Sequence, residues 1–348
     1  MKDLARKPRF EPAASGSGAA PEPLGLSGTP QEALERVPAR RIRVDAAYAG
    51  QRIDNFLIRE LRGVPKTHIY RILRSGEVRV NGCRVRPETK LEPGDELRLP
   101  PLRLPPKSAA GLGTLQHVPL PVLYEDAHLL AIDKPAGVAV HGGSGVSVGV
   151  IEQLRAQRPR APLLELAHRL DRETSGVLLV AKTRAALVGL HALMRQRAAD
   201  KRYVVAVRGE WVNERQHVKK PLIRLTRHDG ERRVEVDPEA GQFAHTIFNL
   251  LERRKTMSLL EAELRTGRTH QIRVHLAYLG FPVLGDDKYG DRALNRSLAR
   301  REPVALRRMF LHAASLRLTH PVTGVDLRID SPLPEALAAF WHASREVS

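Results

Sequence analysis

A single cysteine, Cys83, occurs among 348 residues, which excludes an internal disulfide and any cysteine-built zinc site. No apolar run approaches the ~20 residues that a membrane-crossing helix needs. The amino-terminal region has no apolar leader core, and Glu11, Glu22, Glu32 and Glu35 argue against a mitochondrial presequence, which is poor in acids. Fixed-period repeats are absent, as is a basic amphipathic helix with an aromatic face. The expectation is a cytoplasmic protein that works away from membranes.

Negative charge is also scarce. Asp and Glu total 39 against 57 Lys and Arg, a net charge of +18. Such a field attracts polyanions and speeds encounter with them, and binding through phosphates is salt-sensitive because each contact releases counterions. Lysine supplies only 12 of the cations and arginine 45, a preference that base composition of the coding DNA can also produce. The surplus of cations over acids is the stronger argument for a nucleic-acid partner. Length fits two domains plus tails, and 42% hydrophobic residues suffice for a sizeable core.

Residues 1–40 are rich in Ala, Gly, Pro, Ser and Arg without sustained periodicity and read as a flexible tail. Residues 43–100 read as a compact unit. Phe56, Leu57 and Leu61 share one helical face, and a second helix follows Pro65 and stops at Gly76. Val78-Arg79-Val80, Asn81-Gly82 and Val85 then alternate as a hairpin around an Asn-Gly turn, with Cys83 beside the turn. Two short helices feeding a basic hairpin resemble the S4 RNA-binding domain. Arg52, Lys66, Arg71, Arg74, Arg79 and Arg84 are its candidate phosphate contacts, each of them equally readable as part of a solvated charged face. A Pro- and Gly-containing linker, 101–118, leads into a region of 119–340 with strand-like runs at Leu129 to Ile132, Val177 to Val180 and Val204 to Val207. Helical stretches are expected at Ala185 to Arg197 and Gln271 to Leu279.

Residues 168 to 176, His-Arg-Leu-Asp-Arg-Glu-Thr-Ser-Gly, carry the most chemical information. Asp171 stands alone among arginines at the mouth of an apparent buried strand. Such a carboxylate is a poor general acid and a credible nucleophile or base; an Asp beside Arg is also often a structural ion pair. His270 and His275 invite a metal reading, but their spacing is not that of a helical i, i+4 pair and no third ligand is apparent.

The nine-residue stretch resembles the signature of the RluA-type ribosomal large subunit pseudouridine synthases. Asp133-Lys134-Pro135 with Gly137 and Val140-His141, Lys201-Arg202-Tyr203 with Ala206-Val207 and Gly209, and Gly267-Arg268-Thr269-His270-Gln271-Ile272-Arg273-Val274-His275 resemble further motifs of that family. Gly285-Asp286 with Tyr289-Gly290, Leu311-His312-Ala313 and His320-Pro321 continue the pattern in order, from about Leu123 to Pro334. The segment Gly63 to Asn81 is most similar to the C-type members. The resemblance implies an α+β protein: a small S4 domain followed by a catalytic domain on a mixed, mostly antiparallel sheet. It implies that Asp171 is the catalytic carboxylate and Tyr203 the active-site tyrosine. Arg273 is its implied partner, gripping the carboxylate in bidentate fashion, with Arg268 as the competitor. His141, His168, Arg169, Arg268 and His270 are the implied substrate contacts, Arg169 as filler of the gap left by the displaced base.

The implied reaction moves the ribose C1′ bond of uridine from N1 to C5. Nothing is added or lost, so its stoichiometry requires no cofactor and no metal. The implied partner is large-subunit (23S) ribosomal RNA, free or in an assembling particle, bound by a monomer without an obligate protein partner. Two other classes remain open at this level. One is an S4-type ribosome-assembly factor with an inactive catalytic domain. The other is a glycosylase or nuclease pairing Asp171 with Asp286 or Asp287, although that pair reads more readily as a turn.

Overall fold

The computed structural model describes residues 35–61, 64–104, 118–142, 148–226 and 231–344. Most of the expected tail, and positions 105–117 of the expected linker, lie outside the described residues. The first unit contains β1 (Glu35–Val37), β2 (Arg40–Arg43), α1 (Ile53–Glu60), α2 (Lys66–Arg74), β3 (Arg79–Val80), β4 (Cys83–Arg84), β5 (Glu96–Leu99) and β6 (Leu102–Leu104). Ile53, Phe56 and Leu57 of α1 and Ile69, Ile72 and Leu73 of α2 fall at i, i+3, i+4 spacing. They are buried with Val78, Leu91, Leu97 and Leu99 beneath a sheet of order β2-β5-β3-β4. Pro65 caps α2, Gly76 ends it at φ +75°, and Asn81 and Gly82 (φ +51° and +80°) make the hairpin turn. The unit reaches beyond the expected boundaries. Glu35–Val37, expected in the tail, pairs antiparallel with Leu102–Leu104, expected in the linker.

The second unit holds β7 (Val122–Glu125), β8 (Leu129–Lys134), α3 (Val150–Gln157), β9 (Glu165–Leu166), β10 (Ser175–Ala181), α4 (Arg184–Gln196) and β11 (Asp200–Arg208). It continues through β12 (Arg215–Val218), β13 (Leu222–Thr226), β14 (Arg232–Val236), β15 (Thr246–Arg253), β16 (Met257–Leu264) and α5 (Gln271–Tyr278). It ends with α6 (Arg292–Leu298), β17 (Leu311–Thr319), β18 (Asp326–Asp330) and α7 (Glu335–Ala343). The main sheet runs β12-β15-β16-β11-β17-β10-β8-β7, with β18 on β17 and β9 on β10. Among the described residues only β10 and β17 pair in parallel in this sheet, so it is mixed and mostly antiparallel as expected. β13 and β14 form a separate hairpin.

Every residue of β10 is buried, which is why its sequence is a continuous apolar run instead of an alternation. Leu178 and Val180 face one core with Tyr203, Val205, Ile272 and Leu276. Val177 and Leu179 face the other, against Ala186, Leu187 and Leu190 of α4. On that second face α7 also packs, with Phe340 and Trp341 against Phe310.

The start of β10 is a close approach. Gly176 sits at φ +110°, and a Cβ there would lie 2.2 Å from the Ala313 carbonyl oxygen of β17. Only glycine permits this parallel contact. Gly176→Ala is therefore expected to cost at least about 3 kcal/mol through strain and backbone overlap, read as a lowered urea midpoint. An unchanged midpoint would contradict the packing described.

Candidate active site

The loop 167–174 between β9 and β10 is fastened on three sides. Leu170 is buried, and His168 accepts the Leu179 N–H at Nε2 (3.0 Å). Burial and the nearby Lys201 ammonium push the His168 pKa down to about 4, consistent with a neutral ring in this acceptor role. From below, Lys134 is wholly buried and donates to the carbonyls of Pro135 (2.7 Å), Val138 (2.7 Å) and Arg172 (3.0 Å). Burial lowers its pKa to about 7, while the three acceptors suit the three N–H bonds of the ammonium form. Ser175 bonds His312 Nδ1 at 2.9 Å and accepts from Arg308 at 2.7 Å. The motif is thus mostly a mounting, and Asp171 is what it presents.

Asp171 lines a cleft of about 490 Å³ with Arg169, Lys201, Tyr203, Arg268 and His270. Arg273 Nη1 donates to Asp171 Oδ2 at 3.0 Å. The bidentate grip expected for Asp171 is instead given to Asp286. Arg273 Nε and Nη2 donate to Asp286 Oδ2 and Oδ1 at 2.7 and 2.8 Å. Two parallel bonds match the planar fork to a carboxylate, leaving one N–H edge for Asp171. Burial alone would raise the pKa of Asp286, but the Arg273 bonds and charge, with N–H groups of Tyr289 and Lys288, bring it below the ordinary range. Arg273 is shifted up: its burial opposes the charge, and Asp286 and Asp171 outweigh it. Gly285-Asp286 does make the expected turn, with Asp286 Oδ1 accepting from Lys288 and Tyr289 at 2.9 and 3.0 Å. It also braces the arginine, and so one carboxylate serves both purposes.

Tyr203 lies on the same face of β11 as Val205 and Val207, just past a register shift opposite β17 between Arg202 and Tyr203. Such an irregularity re-aims a side chain. Burial first, and the Asp171 charge second, raise its phenol above the ordinary value. His270, at φ +54° at the head of α5, places Nε2 3.9 Å from Asp171 Oδ2. The Tyr289 hydroxyl accepts the Val234 N–H at 3.0 Å and bonds His270 Nδ1 at 2.8 Å. Burial takes the His270 pKa down to about 4 despite the neighbouring carboxylate.

Of the other expected contacts, Arg169 and Arg268 are exposed at the cleft, whereas His141 is exposed on a loop that does not line it. His275 is fully buried between Thr246 and the Lys220 carbonyl, both at 2.9 Å, and acts as a brace. Among the described residues no three His, Cys, Asp or Glu side chains cluster as metal ligands. In the first unit, Lys66, Arg71, Arg74 and Arg79 are exposed and have no acidic partner among the described residues. Arg52 is tied to buried Asp54 at 2.6 Å, and Arg84 is spent on the carbonyls of Arg74 and Ser75 at 3.3 and 2.8 Å.

Two site residues escaped the sequence reading. Asp286 is legible in the sequence as a motif residue, a turn former and a possible second carboxylate, and not as the brace of Arg273. Lys201 was quoted within a motif but given no role, although its position two residues before Tyr203 puts both on one face of a strand. Its ammonium, whose pKa burial lowers, lines the cleft without an acid partner among the described residues.

Residues 128–278 match the RNA pseudouridylate synthase family model and residues 51–97 the S4 domain model. The chain is 51% identical over 300 residues to ribosomal large subunit pseudouridine synthase C of Escherichia coli K12, covering 85% of this chain and 93% of that protein. Its counterpart in Pasteurella multocida is 49% identical over 311 residues, 88% and 94% of the two chains. Among solved structures, human RNA Pseudouridylate Synthase Domain Containing 4 superposes with a TM-score of 0.52 at 27% identity, over 65% of this chain and 93% of that one. Human RNA Pseudouridylate Synthase Domain Containing 1 gives the same TM-score, 0.52, at 26% identity over 64% and 87%. Likeness along nearly the whole length of the bacterial enzymes, joined to an S4 domain ahead of the Asp171 cleft, makes this chain a member of the ribosomal large subunit pseudouridine synthase family.

Proposed function

We propose that this pseudouridine synthase converts uridines of large-subunit (23S) ribosomal RNA, using Asp171 on a uridine everted into the cleft. The observation that carries the reading is the state of the Asp171 carboxylate. Oδ2 is held by Arg273, Oδ1 has no hydrogen-bond partner among the described residues, and the residue lines the cleft. One oxygen is aimed and the other is left for chemistry. The C1′–N1 bond breaks, C1′–C5 forms, C5 gives up a proton and N1 gains one, so atoms balance without a co-reactant. Tyr203 supplies a ring wall for the detached base. Its raised pKa keeps the phenol protonated at neutral pH, so it serves as a hydrogen donor or relay and not as a standing phenolate base.

Extruding a uridine from its stack costs a few kcal/mol, and the cations around the cleft supply compensating phosphate contacts. Lys201, Arg169 and Arg268 do this near the target. Lys66, Arg71, Arg74 and Arg79 do so on the first unit, orienting the RNA without reading its sequence. Among the described residues no helix is long and apolar enough to cross a membrane. We place the activity in the cytoplasm, carried out by a monomer.

Ribosomal RNA tritiated at uridine C5 should release tritium to water without chain cleavage and without free uracil. Asp171→Asn should cut that release by about three orders of magnitude or more while RNA affinity stays within roughly threefold. Normal turnover in the variant ends the assignment, and free uracil in place of isomerisation favours a glycosylase.

Asp286→Asn should lower stability by about 3–5 kcal/mol, the cost of unpairing a buried guanidinium, and should lower kcat more than it raises KM. Asp287→Asn, on the exposed neighbour, should change neither. Equal effects of the two substitutions would remove Asp286 from the assembly.

His168, His270 and His275 each have a pKa near 4 when folded, against about 6.5 for a free imidazole. Below pH 6.5 the unfolded chain takes up protons that these folded rings refuse, so their stabilising contribution is full above 6.5 and is lost as pH falls toward 4. The urea midpoint should fall across that window, and the slope should flatten in His275→Gln. A slope unchanged in that variant would refute its buried neutral state.

A further inference from the structure

Between the Asp286 turn and β17, residues 292–308 carry six arginines against one acid, Glu302. Two of the six are used inside the fold. Arg301 donates to the Ser344 hydroxyl at 3.0 Å and Arg308 to the Ser175 hydroxyl at 2.7 Å. Arg292, Arg296 and Arg300 differ from these. They fall at i, i+4 and i+8, two on α6 and one just past its C-cap, and all three are exposed. None has an acidic partner among the described residues, and Arg296 Nε reaches only the Arg292 carbonyl, at 3.3 Å. Asp291, the preceding acid, is occupied: it caps α6 through the Ala293 and Leu294 N–H groups and pairs with Arg208 at 2.8 Å. Arg296, Ser297, Arg300 and Arg301 line a shallow depression with Ala293 and no carboxylate, while Glu302 borders the neighbouring one.

A helix of 7 residues is too short to be stable alone. Like charges four residues apart weaken it further, and Arg292 in the first turn opposes the helix dipole. The helix persists because it is fastened from below. Leu298 is buried, and Leu294 packs against the core that holds Phe310 and Phe340. The Asn295 side chain accepts the Gly285 N–H at 2.9 Å and donates to the Asp286 carbonyl at 3.0 Å. The fold therefore holds in place a row of cations that local electrostatics disfavours, and an external anion would relieve the repulsion. Four helical residues advance about 6 Å, a step comparable to that between successive phosphates of a nucleotide chain. Other partners find less to bind. Ala293 is the one apolar residue lining the depression, whereas protein interfaces centre on apolar and aromatic groups and membrane-surface helices need an apolar face.

We propose that Arg292, Arg296 and Arg300 form a docking row for the phosphate backbone of RNA lying outside the nucleotides that enter the Asp171 cleft. The inference rests on RNA being the substrate of that cleft, which none of the three arginines lines. Their guanidinium forks suit phosphate oxygens, and such contacts position a nucleic acid without reading its sequence. The row is tied to the site through the backbone. Asn295 holds the Asp286 carbonyl, and the Asp286 carboxylate holds Arg273, which meets Asp171. RNA seated on α6 is thereby held at a fixed offset from Asp171.

The test combines Arg292→Gln, Arg296→Gln and Arg300→Gln in the full chain and compares two RNAs tritiated at uridine C5. One is a long ribosomal RNA transcript, and the other a minimal hairpin carrying the same target uridine. For the long transcript, the slope of log affinity against log salt should become shallower by about three, one per lost phosphate contact. KM for tritium release from it should rise roughly tenfold, with kcat changed less than about threefold. KM for the hairpin should stay within about twofold. Arg292→Lys, Arg296→Lys and Arg300→Lys together should keep most of the wild-type slope, because the charge remains. The urea midpoint of the Gln variant should hold or rise as the like-charge repulsion goes. Arg300→Gln alone, outside the helix, should lower the slope by about one, and it serves where the triple variant is unstable. An unchanged slope and KM on the long transcript overturn the proposal, as does an equal loss on the hairpin. Wild-type chain that binds both RNAs and releases no tritium would instead sink the reading of the Asp171 cleft, while the salt slopes still decide the docking row.

Discussion

The site depends on one buried positive charge shared between two carboxylates. Arg273 is 8% exposed and Asp286 1%, so neither can be left unpaired without a large desolvation cost. The fork geometry decides how the charge is divided. Two parallel bonds to Asp286 fix the guanidinium plane, and the remaining Nη1 edge can then meet Asp171 from only one direction. A buried pair of this kind is weak evidence for stability, since hydrophobic replacements often match it. What it supplies is direction. Lysine could carry the same charge at position 273 and could not hold two carboxylates at fixed angles.

That geometry is useful only if Asp171 itself is held still, and the sheet provides this. The loop that bears it is pinned to β10 through His168, to the β8 end through Lys134 and to β17 through the glycine contact at 176. β10 is covered on both faces, which makes it a rigid place from which to hang the loop that presents Asp171. Much of the nine-residue signature is therefore explained by mounting. Leu170 anchors, Thr174 and Ser175 are buried, Gly176 permits a close approach, and Arg169 and Asp171 are among the residues that line the cleft.

This division explains what could be read from the chain and what could not. The buried strand at 177–180, the helix bounded by Pro65 and Gly76 and the Asn81-Gly82 hairpin follow from local chemistry, and the structure has them where local chemistry puts them. Asp171 and Tyr203 meeting in one cleft was accessible through resemblance alone, because 32 positions separate them and no local rule joins them. The pairing of Glu35–Val37 with Leu102–Leu104 is long-range and only three residues long, too short to leave a periodic signal. The bidentate hold on Asp286 was missed because the turn reading already accounted for that residue. Arg52 and Arg84 were counted as free cations because sequence does not show that Asp54 and two helix-end carbonyls consume them.

The same distinction between spent and available charge limits what the basic composition means. A surplus of +18 describes a field, and many of the arginines behind it are committed to intramolecular partners. Glu263, 1% exposed, alone draws Arg202, Arg215 and Arg265 to within 3.0 Å, making a knot on the sheet and not a docking surface. The cations left without acids among the described residues include those of α2 and the hairpin in the first unit and those around the Asp171 cleft. A polyanion long enough to reach both would gain the avidity of two linked contacts. Long-range attraction of this kind acts on any polyanion, whereas discrimination between bases requires short-range fit.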